Sequence, residues 1–206
     1  ENVFTPKDVA TLSYVGSAAV SPNGKYLAYT KVVPRNPLKD EDGSAWVELH
    51  VVDDAGRSRP FVTGQVNVSG MRWTPDGTGI AFTSKRAGDE HTSLYVIPID
   101  GGEARRVVAH EANVYGAAFS RDGKQVVFLA SEPRTKEQEE WRQKGFNQEI
   151  HEEDWMPTKV WIAAADGSDT PRALDLEGSA HDVRFSPSGN ELAVVLAPTP
   201  SVDDSY

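Results

Sequence analysis

Apolar and polar positions follow one short pattern that recurs four times along the chain. Each copy ends a run of apolar residues, turns on a polar residue followed by glycine, and begins a second apolar run. Asn, Asp or Ser followed by Gly tolerates the positive backbone angle of a tight turn, so each copy predicts a β-hairpin. The four copies are Val20–Thr30, Trp73–Thr83, Phe119–Leu129 and Phe185–Val195.

Two further strand-like segments lie between successive hairpins. The longer ones are rich in β-branched and aromatic residues and each runs into a glycine-containing turn; they are Trp46–Val52, Ser93–Ile99 and Thr158–Ala164. The shorter ones are partly polar and comprise Arg59–Thr63, Ala104–Val108 and Pro171–Leu174. Pro60 and Pro171 suit an edge strand, because proline cannot donate a hydrogen bond to a neighbouring strand. Each repeat therefore predicts a four-stranded antiparallel unit with its weakest strand outside.

The turn glycines of the four hairpins recur at the spacing of propeller blades. They are Gly24, Gly77, Gly123 and Gly189, and a four-stranded blade usually takes about 40–50 residues. We therefore predict an all-β fold, a partial β-propeller of WD40-like (PD40-type) repeats with three four-stranded blades and the first hairpin of a fourth. The expected blades are residues 12–64, 65–110, 111–176 with an insertion at 131–157, and 177–206.

Composition and charge exclude several classes of partner and site. The 206 residues carry a net charge of −10, which repels nucleic acid and anionic membranes, and no apolar run approaches the length of a membrane helix. The absence of cysteine excludes disulfides, cysteine nucleophiles and thiolate metal sites. The chain opens at Glu1 without a signal segment, so we expect a periplasmic or secreted protein after leader removal, with the cytoplasm as the alternative.

Known catalytic patterns do not occur in these residues. There is no Gly-x-Ser-x-Gly elbow and no His-Glu-x-x-His pair, and the five histidines fall in different segments. We therefore expect no catalytic residue, no metal and no cofactor in this chain. Trp46, Trp73 and Trp161 lie within predicted strands and are expected to pack in or between blades, and Arg105–Arg106 is expected to form a solvated edge.

The insertion at 131–157 is the segment most indicative of function, because loops of this length in compact domains are more often functional than decorative. Its first part, Arg134–Lys144, has helix-forming residues with Glu-to-Lys and Glu-to-Arg spacings of three and four, and Gly145 is the expected stop. Its second part, Asn147–Pro157, is a dense acidic cluster.

The opening of the chain resembles a known family. Phe4–Leu12, followed by the hairpin phrase Val20–Tyr29, is similar to the N-terminal entry of prolyl oligopeptidase family (S9) serine peptidases, in the acylaminoacyl-peptidase and dipeptidyl-peptidase branches. The resemblance implies a propeller of seven or eight blades that precedes an α/β-hydrolase domain and restricts entry to short peptides. It also implies that the Ser-Asp-His triad lies outside these residues. The implied partners are the remainder of the same polypeptide and a short peptide substrate, and a homo-oligomer stays open.

The resemblance also implies a role for the acidic cluster. In dipeptidyl peptidases of the family, two glutamates from a propeller insertion bind the free α-amino group of the substrate. Glu152 and Glu153 are the adjacent pair that matches this role, with Trp155 as a wall. A protonated amine that is partly desolvated needs carboxylates to offset its charge. The alternative for the cluster is a solvated acidic loop in an acidic chain.

Two other functions stay open for the chain as a whole. One is a TolB-like propeller that binds proteins and has no catalytic role. The other is a purely structural fragment of a larger protein. A hydrolase sequence elsewhere in the gene product favours the peptidase, whereas repeats that close and stop favour the binding module.

Overall fold

The computed structural model describes residues 3–36, 39–146 and 156–201. Within these ranges the chain forms fourteen strands and two short helices, and the strands make three four-stranded antiparallel sheets and one two-stranded sheet. The predicted fold class is confirmed: the chain is a partial β-propeller of three blades and one further hairpin. No helix in the described part of the chain is long and apolar enough to cross a membrane.

The first sheet follows the short helix α1 (Pro6–Ala10). Thr5 caps this helix through a reciprocal pair of bonds with Asp8, and Pro6 occupies its first turn, where a missing N–H costs nothing. The sheet places its strands in sequence order: β1 (Tyr14–Val20), β2 (Tyr26–Val33), β3 (Trp46–Asp53) and β4 (Ser58–Val62). Ala28, Leu49 and Val51 on the two central strands are almost fully buried.

The second sheet has the same order and the most buried central strands. All six residues of β6 and the first five of β7 are buried, which explains why these segments read as nearly continuous apolar and small residues. The strands are β5 (Ser69–Trp73), β6 (Gly79–Ser84), β7 (Ser93–Pro98) and β8 (Arg105–Val108).

The third sheet carries the insertion and the fourth is a hairpin. The third contains β9 (Tyr115–Phe119), β10 (Gln125–Ser131), β11 (Thr158–Ala164) and the two-residue β12 (Arg172–Ala173). The helix α2 (Lys136–Gln143) lies between β10 and β11. The hairpin consists of β13 (Ser179–Phe185) and β14 (Leu192–Ala197).

The chain divides into two compact units, each with its own core. The first comprises Glu1–Asp89 and Leu94–Arg106, and its core is built from the apolar faces of the first sheet and most of the second. The second comprises Glu90–Ser93 and Val107–Tyr206, and Val127, Leu129, Val160, Ala180 and Val183 form its core cluster.

All four hairpin turns use one set of side-chain bonds. In the third turn the Ser120 hydroxyl donates to Asp122 Oδ1 over 2.6 Å and accepts from the Gln125 amide over 2.9 Å. Thr74 and Asp76 repeat this arrangement in the second turn. The turn glycines adopt positive φ, 69° at Gly123, as the polar-Gly pattern predicts.

Candidate functional site

The insertion leaves and re-enters the third sheet at one point. Ser131, the last residue of β10, pairs with Thr158, the first residue of β11. One step further out, the Glu132 amide donates to the Pro157 carbonyl over 3.4 Å. The two ends of the insertion are therefore held together as a narrow neck at the end of the central strand pair.

The first half of the insertion forms the predicted helix. Thr135 caps α2 through a reciprocal pair of bonds with Gln138, which explains why the helix begins at Lys136 rather than at Arg134. Gly145 follows the helix with φ at 90°, as expected of a stop residue. Trp141 is 53% exposed and Phe146 is 72% exposed, so this arm presents two large apolar side chains to solvent.

The residues predicted to bind the substrate amine lie outside the described part of the chain. Glu152, Glu153 and Trp155 belong to the segment 147–155, which the structure does not describe. Their proposed role stays a prediction from the sequence. The described residues define the neck from which that segment emerges.

Side chains from β9 and β13 contact Thr158, the residue at which the insertion returns to the third sheet. The Tyr115 hydroxyl on β9 lies 2.7 Å from Thr158 Oγ1, and the Thr158 amide donates to Ser179 Oγ on β13 over 3.2 Å. The Lys159 ammonium donates to the carbonyls of Leu176 and Gly178 over 3.1 and 3.4 Å. Thr158 and Lys159, the first two residues of β11, are thus bonded to Tyr115 on β9 and to the segment from Leu176 to Ser179.

A second polar cluster organises the loop between β6 and β7. The Asp89 carboxylate, whose side chain is 4% exposed, accepts from the Tyr95 hydroxyl over 2.5 Å, from Arg106 Nη1 over 2.9 Å and from the Arg86 amide over 3.0 Å. The Arg86 guanidinium lies 5.3 Å from the centre of the Tyr95 ring. These bonds hold the loop between β6 and β7 against Tyr95 on β7 and Arg106 on β8.

The ionisation of the Asp89 network follows from its contacts. Burial alone would raise the pKa of Asp89, but the bonds from Tyr95, Arg86 and Arg106 outweigh burial and lower it. Burial and the bond to Asp89 raise the pKa of Tyr95 to about 12. The cluster therefore holds a carboxylate and a neutral phenol at neutral pH.

Sequence reasoning missed this network. The sequence predicts Arg106 only as part of a solvated edge, whereas in the structure its guanidinium pairs with a nearly buried carboxylate. Asp89 and Arg106 lie far apart in the sequence, and neither occurs in a recognised motif. The sequence contains one indication of this network, the Arg105–Arg106 pair on the short outer strand.

The tryptophans expected to pack do so. Trp73 stacks on Tyr26 with ring centres 6.3 Å apart, and its Nε1 donates to the Ala19 carbonyl over 2.9 Å. Trp161 Nε1 donates to the Ala130 carbonyl over 3.1 Å. Trp46 lies under the Arg35 guanidinium at 4.0 Å. These three side chains are therefore structural elements of the sheets.

Two histidines also have structural contacts. His50 Nε2 lies 3.0 Å from Glu48 Oε2, and its ring stacks on Tyr29. His110 packs edge-on against Trp161 with ring centres 4.2 Å apart, and burial lowers its pKa. Among the described residues, no three His, Cys, Asp or Glu side chains are grouped so that they could hold a metal ion.

The sequence matches one protein-family model over most of its length. The model describes the prolyl oligopeptidase N-terminal β-propeller domain, and the match covers residues 6–164.

Sequence relatives and solved structures agree with that match. The chain is 31% identical over 130 residues to dipeptidyl-peptidase 5 of Porphyromonas endodontalis, covering 63% of this chain and 18% of that protein. It superposes on an acylaminoacyl peptidase solved with Z-Gly-Gly-Phe-chloromethyl ketone, with a TM-score of 0.65, 15% identity, and coverage of 93% of this chain and 29% of the peptidase.

A similar fold occurs in a protein named TolB. TolB from Acinetobacter baumannii superposes with a TM-score of 0.56 and 19% identity, over 86% of this chain and 36% of TolB. The chain spans less than a fifth of the length of the curated relatives it matches.

Proposed function

Because this chain belongs to the prolyl oligopeptidase family through its N-terminal β-propeller domain, we propose that it admits short peptides to a serine peptidase active site carried elsewhere in the same polypeptide. The family match over residues 6–164 is the observation that carries this proposal. The relative named dipeptidyl-peptidase 5 supports a peptidase that acts at peptide termini.

In this proposed function, the acidic part of the insertion binds the amino terminus of the substrate. Glu152 and Glu153 bind the protonated α-amino group of the substrate, and Trp155 borders the same site. Two carboxylates offset the charge of an ammonium that loses part of its water on binding, and hydrogen bonds between charged groups are stronger than neutral ones. The neck at Glu132 and Thr158 supports this task, because it gives the insertion a fixed origin on the third sheet.

Substrates with and without a free amine test this function. The complete gene product is assayed with a dipeptidyl nitroanilide and with its N-acetylated form, as the unaltered protein and with Glu152→Gln and Glu153→Gln together. A lost charge-assisted contact weakens the free-amine substrate selectively. We expect kcat/KM to fall about tenfold or more for that substrate and to stay unchanged for the acetylated one.

A matched control uses acidic residues from the same insertion. Glu137 and Glu140 are exposed on α2, and replacing both with Gln removes the same charge from the same arm. This control should leave both substrates unaffected. An equal loss on both substrates in the Glu152 and Glu153 variant, or a selective loss in the Glu137 and Glu140 control, contradicts the amine-binding role.

The TolB-like alternative makes a different prediction in the same assay. This chain resembles TolB in fold, at 19% sequence identity, and the name TolB does not identify a peptidase. A propeller that only binds proteins leaves the gene product without hydrolysis of either substrate.

A further inference from the structure

The helix α2 buries none of its described side chains. Every side chain that the structure describes between Arg134 and Phe146 is exposed, and Trp141 and Phe146 are 53% and 72% exposed. A helix of eight residues is short, because isolated helices of fewer than about 12–15 residues are only marginally stable in water. The cap at Thr135 favours the start of the helix, but most helical stability in proteins comes from packing. We therefore expect α2 to gain stability from a partner.

One face of α2 carries an aromatic residue between opposite charges. The residues of this face follow each other at positions i, i+3, i+4 and i+7, the spacing that places side chains in one stripe along a helix. They are Glu137, Glu140, Trp141 and Lys144, and we call them the α2 stripe. Its acidic end lies in the first part of the helix and its basic end directly follows the last turn, the order that the helix dipole favours.

The α2 stripe is complementary to an inverted copy of itself. A second copy that lies antiparallel across α2, with a twofold axis between positions 140 and 141, brings Glu137 of each copy opposite Lys144 of the other. The two Trp141 rings then lie beside the axis, between two ion pairs. A parallel pairing would instead place Glu137 opposite Glu137 and Lys144 opposite Lys144, and like charges repel each other. The dipoles of antiparallel helices also attract, whereas those of parallel helices repel.

We propose that the α2 stripe is a self-association surface through which two copies of the complete protein pair. Charge selects a second copy as the partner: two chains of net charge −10 repel each other in general, whereas the stripe supplies opposite charges at matched positions. The helix is about 12 Å long, so the pair buries less than the roughly 1,200 Å² of a standard stable interface. We therefore expect weak pairing, with a Kd of about 1–100 μM. This inference is independent of the peptidase function.

Analytical ultracentrifugation of the complete gene product tests this surface. Over about 1–100 μM, the unaltered protein should pass from monomer to dimer. Trp141→Ala removes the aromatic centre of the stripe and should raise the dimer Kd about tenfold or more, because central aromatic side chains supply much of the binding energy of an interface. Added salt should also weaken pairing of the unaltered protein, because exposed ion pairs are screened by salt.

Reversal of the charges tests the antiparallel arrangement. Glu137→Lys alone and Lys144→Glu alone each place like charges opposite each other at both ends of the pair, and each should raise the Kd about tenfold. In an equimolar mixture of the two variants, each stripe meets the opposite charge on the other protein at both ends. The mixture should therefore pair with a Kd within about threefold of the unaltered protein.

A matched control reverses a charge on another face of the same helix. Arg142→Glu makes the same change of charge as Lys144→Glu near the same helix end, but position 142 lies about 140° around the helix axis from position 137. It should change the Kd by less than about twofold. Thermal unfolding of every variant is recorded, and Trp141→Ala decides the result if a charge variant does not fold. Peptidase assays use nanomolar protein, at which the pair is dissociated, so pairing does not enter their glutamate control.

Three results would overturn the self-association surface. One is a protein that stays monomeric over the whole concentration range. Another is a dimer that is unaffected by Trp141→Ala and by both charge reversals, because such a dimer pairs through a different surface. The third is pairing that is lost in Glu137→Lys and Lys144→Glu but does not return in their mixture, or is lost equally in Arg142→Glu, because the antiparallel ion pairs then do not form.

Discussion

Asp89 is a nearly buried carboxylate whose partners all come from one loop and two neighbouring strands. Tyr95, Arg106 and the Arg86 amide donate to its two oxygens. Burial of an unpaired carboxylate is costly, so the stability of this loop depends on all three donors being present. The network shows how a single acidic residue defines the loop between β6 and β7.

Replacement of Asp89 by Asn should open this loop. Asn removes the charge and cannot accept from all three donors, which weakens a charge-assisted network by about 1.5–3 kcal/mol. We expect the amide hydrogens of residues 85–95 to exchange about tenfold faster or more at neutral pH, measured by hydrogen–deuterium exchange of the complete gene product. Asp182→Asn, which alters the exposed pair with Arg184, is the control and should change exchange little.

The pH dependence follows from the lowered pKa of Asp89. A carboxylate with a folded-state pKa below its ordinary value of about 3.9 stabilises the fold above that value, and this contribution is lost as the pH falls through the folded-state pKa. The difference in exchange between the unaltered protein and Asp89→Asn should therefore shrink in acid, with both compared at the same pH. A difference that stays constant into acid contradicts the role of the charge.

Among the elements, the hairpin turns repeat one arrangement of bonds, with Asp as the acceptor in the second and third turns, Asn23 in the first and Ser188 in the fourth. In the third turn Asp122 accepts from the Ser120 hydroxyl and from the Lys124 amide, and the bond from Ser120 lowers the pKa of Asp122. In the fourth turn Ser188 occupies the matching position and lies 2.9 Å from Ser186 Oγ. A serine hydroxyl is shorter and uncharged, so it makes a weaker turn than a carboxylate.

An exchange of these two residues tests the turn chemistry. Ser188→Asp should stabilise the β13–β14 hairpin by about 0.5–1 kcal/mol and slow its amide exchange about two- to fivefold, because a charged acceptor strengthens the turn. Asp122→Ser should speed exchange in the β9–β10 hairpin by a similar factor. Equal exchange in both variants and the unaltered protein would show that glycine alone determines these turns.

The hairpins could be predicted from the sequence because their bonds are local. Ser120, Asp122 and Gly123 lie within four residues, and the same spacing recurs in each repeat. The bulge at Gly116 could not be predicted, because it depends on how Leu129 packs against the opposite strand. The neck contacts of Tyr115 and Ser179 with Thr158 also join distant parts of the sequence, and no periodic pattern indicates such pairs.

For the whole molecule, the repeats account for the fold, whereas the proposed function depends on the family match. The repeat chemistry builds blades, and blades of this type also occur in TolB, so the propeller alone does not distinguish a peptidase from a binding protein. The distinction comes from the sequence match over residues 6–164, which includes the whole insertion at 131–157. The candidate amine site could be predicted only as Glu152, Glu153 and Trp155 in the sequence, because residues 147–155 lie outside the described part of the chain.

Fluorophosphonate labelling of the native gene product tests most directly whether this propeller works within a serine peptidase. The protein is captured from its own cell extract with an antibody against this segment. We expect a labelled band far larger than the 22.5 kDa of this chain, with labelling blocked by a short free-amine peptide inhibitor. A captured protein that stays unlabelled, while other serine hydrolases in the same extract react, would contradict the peptidase assignment and favour a binding propeller.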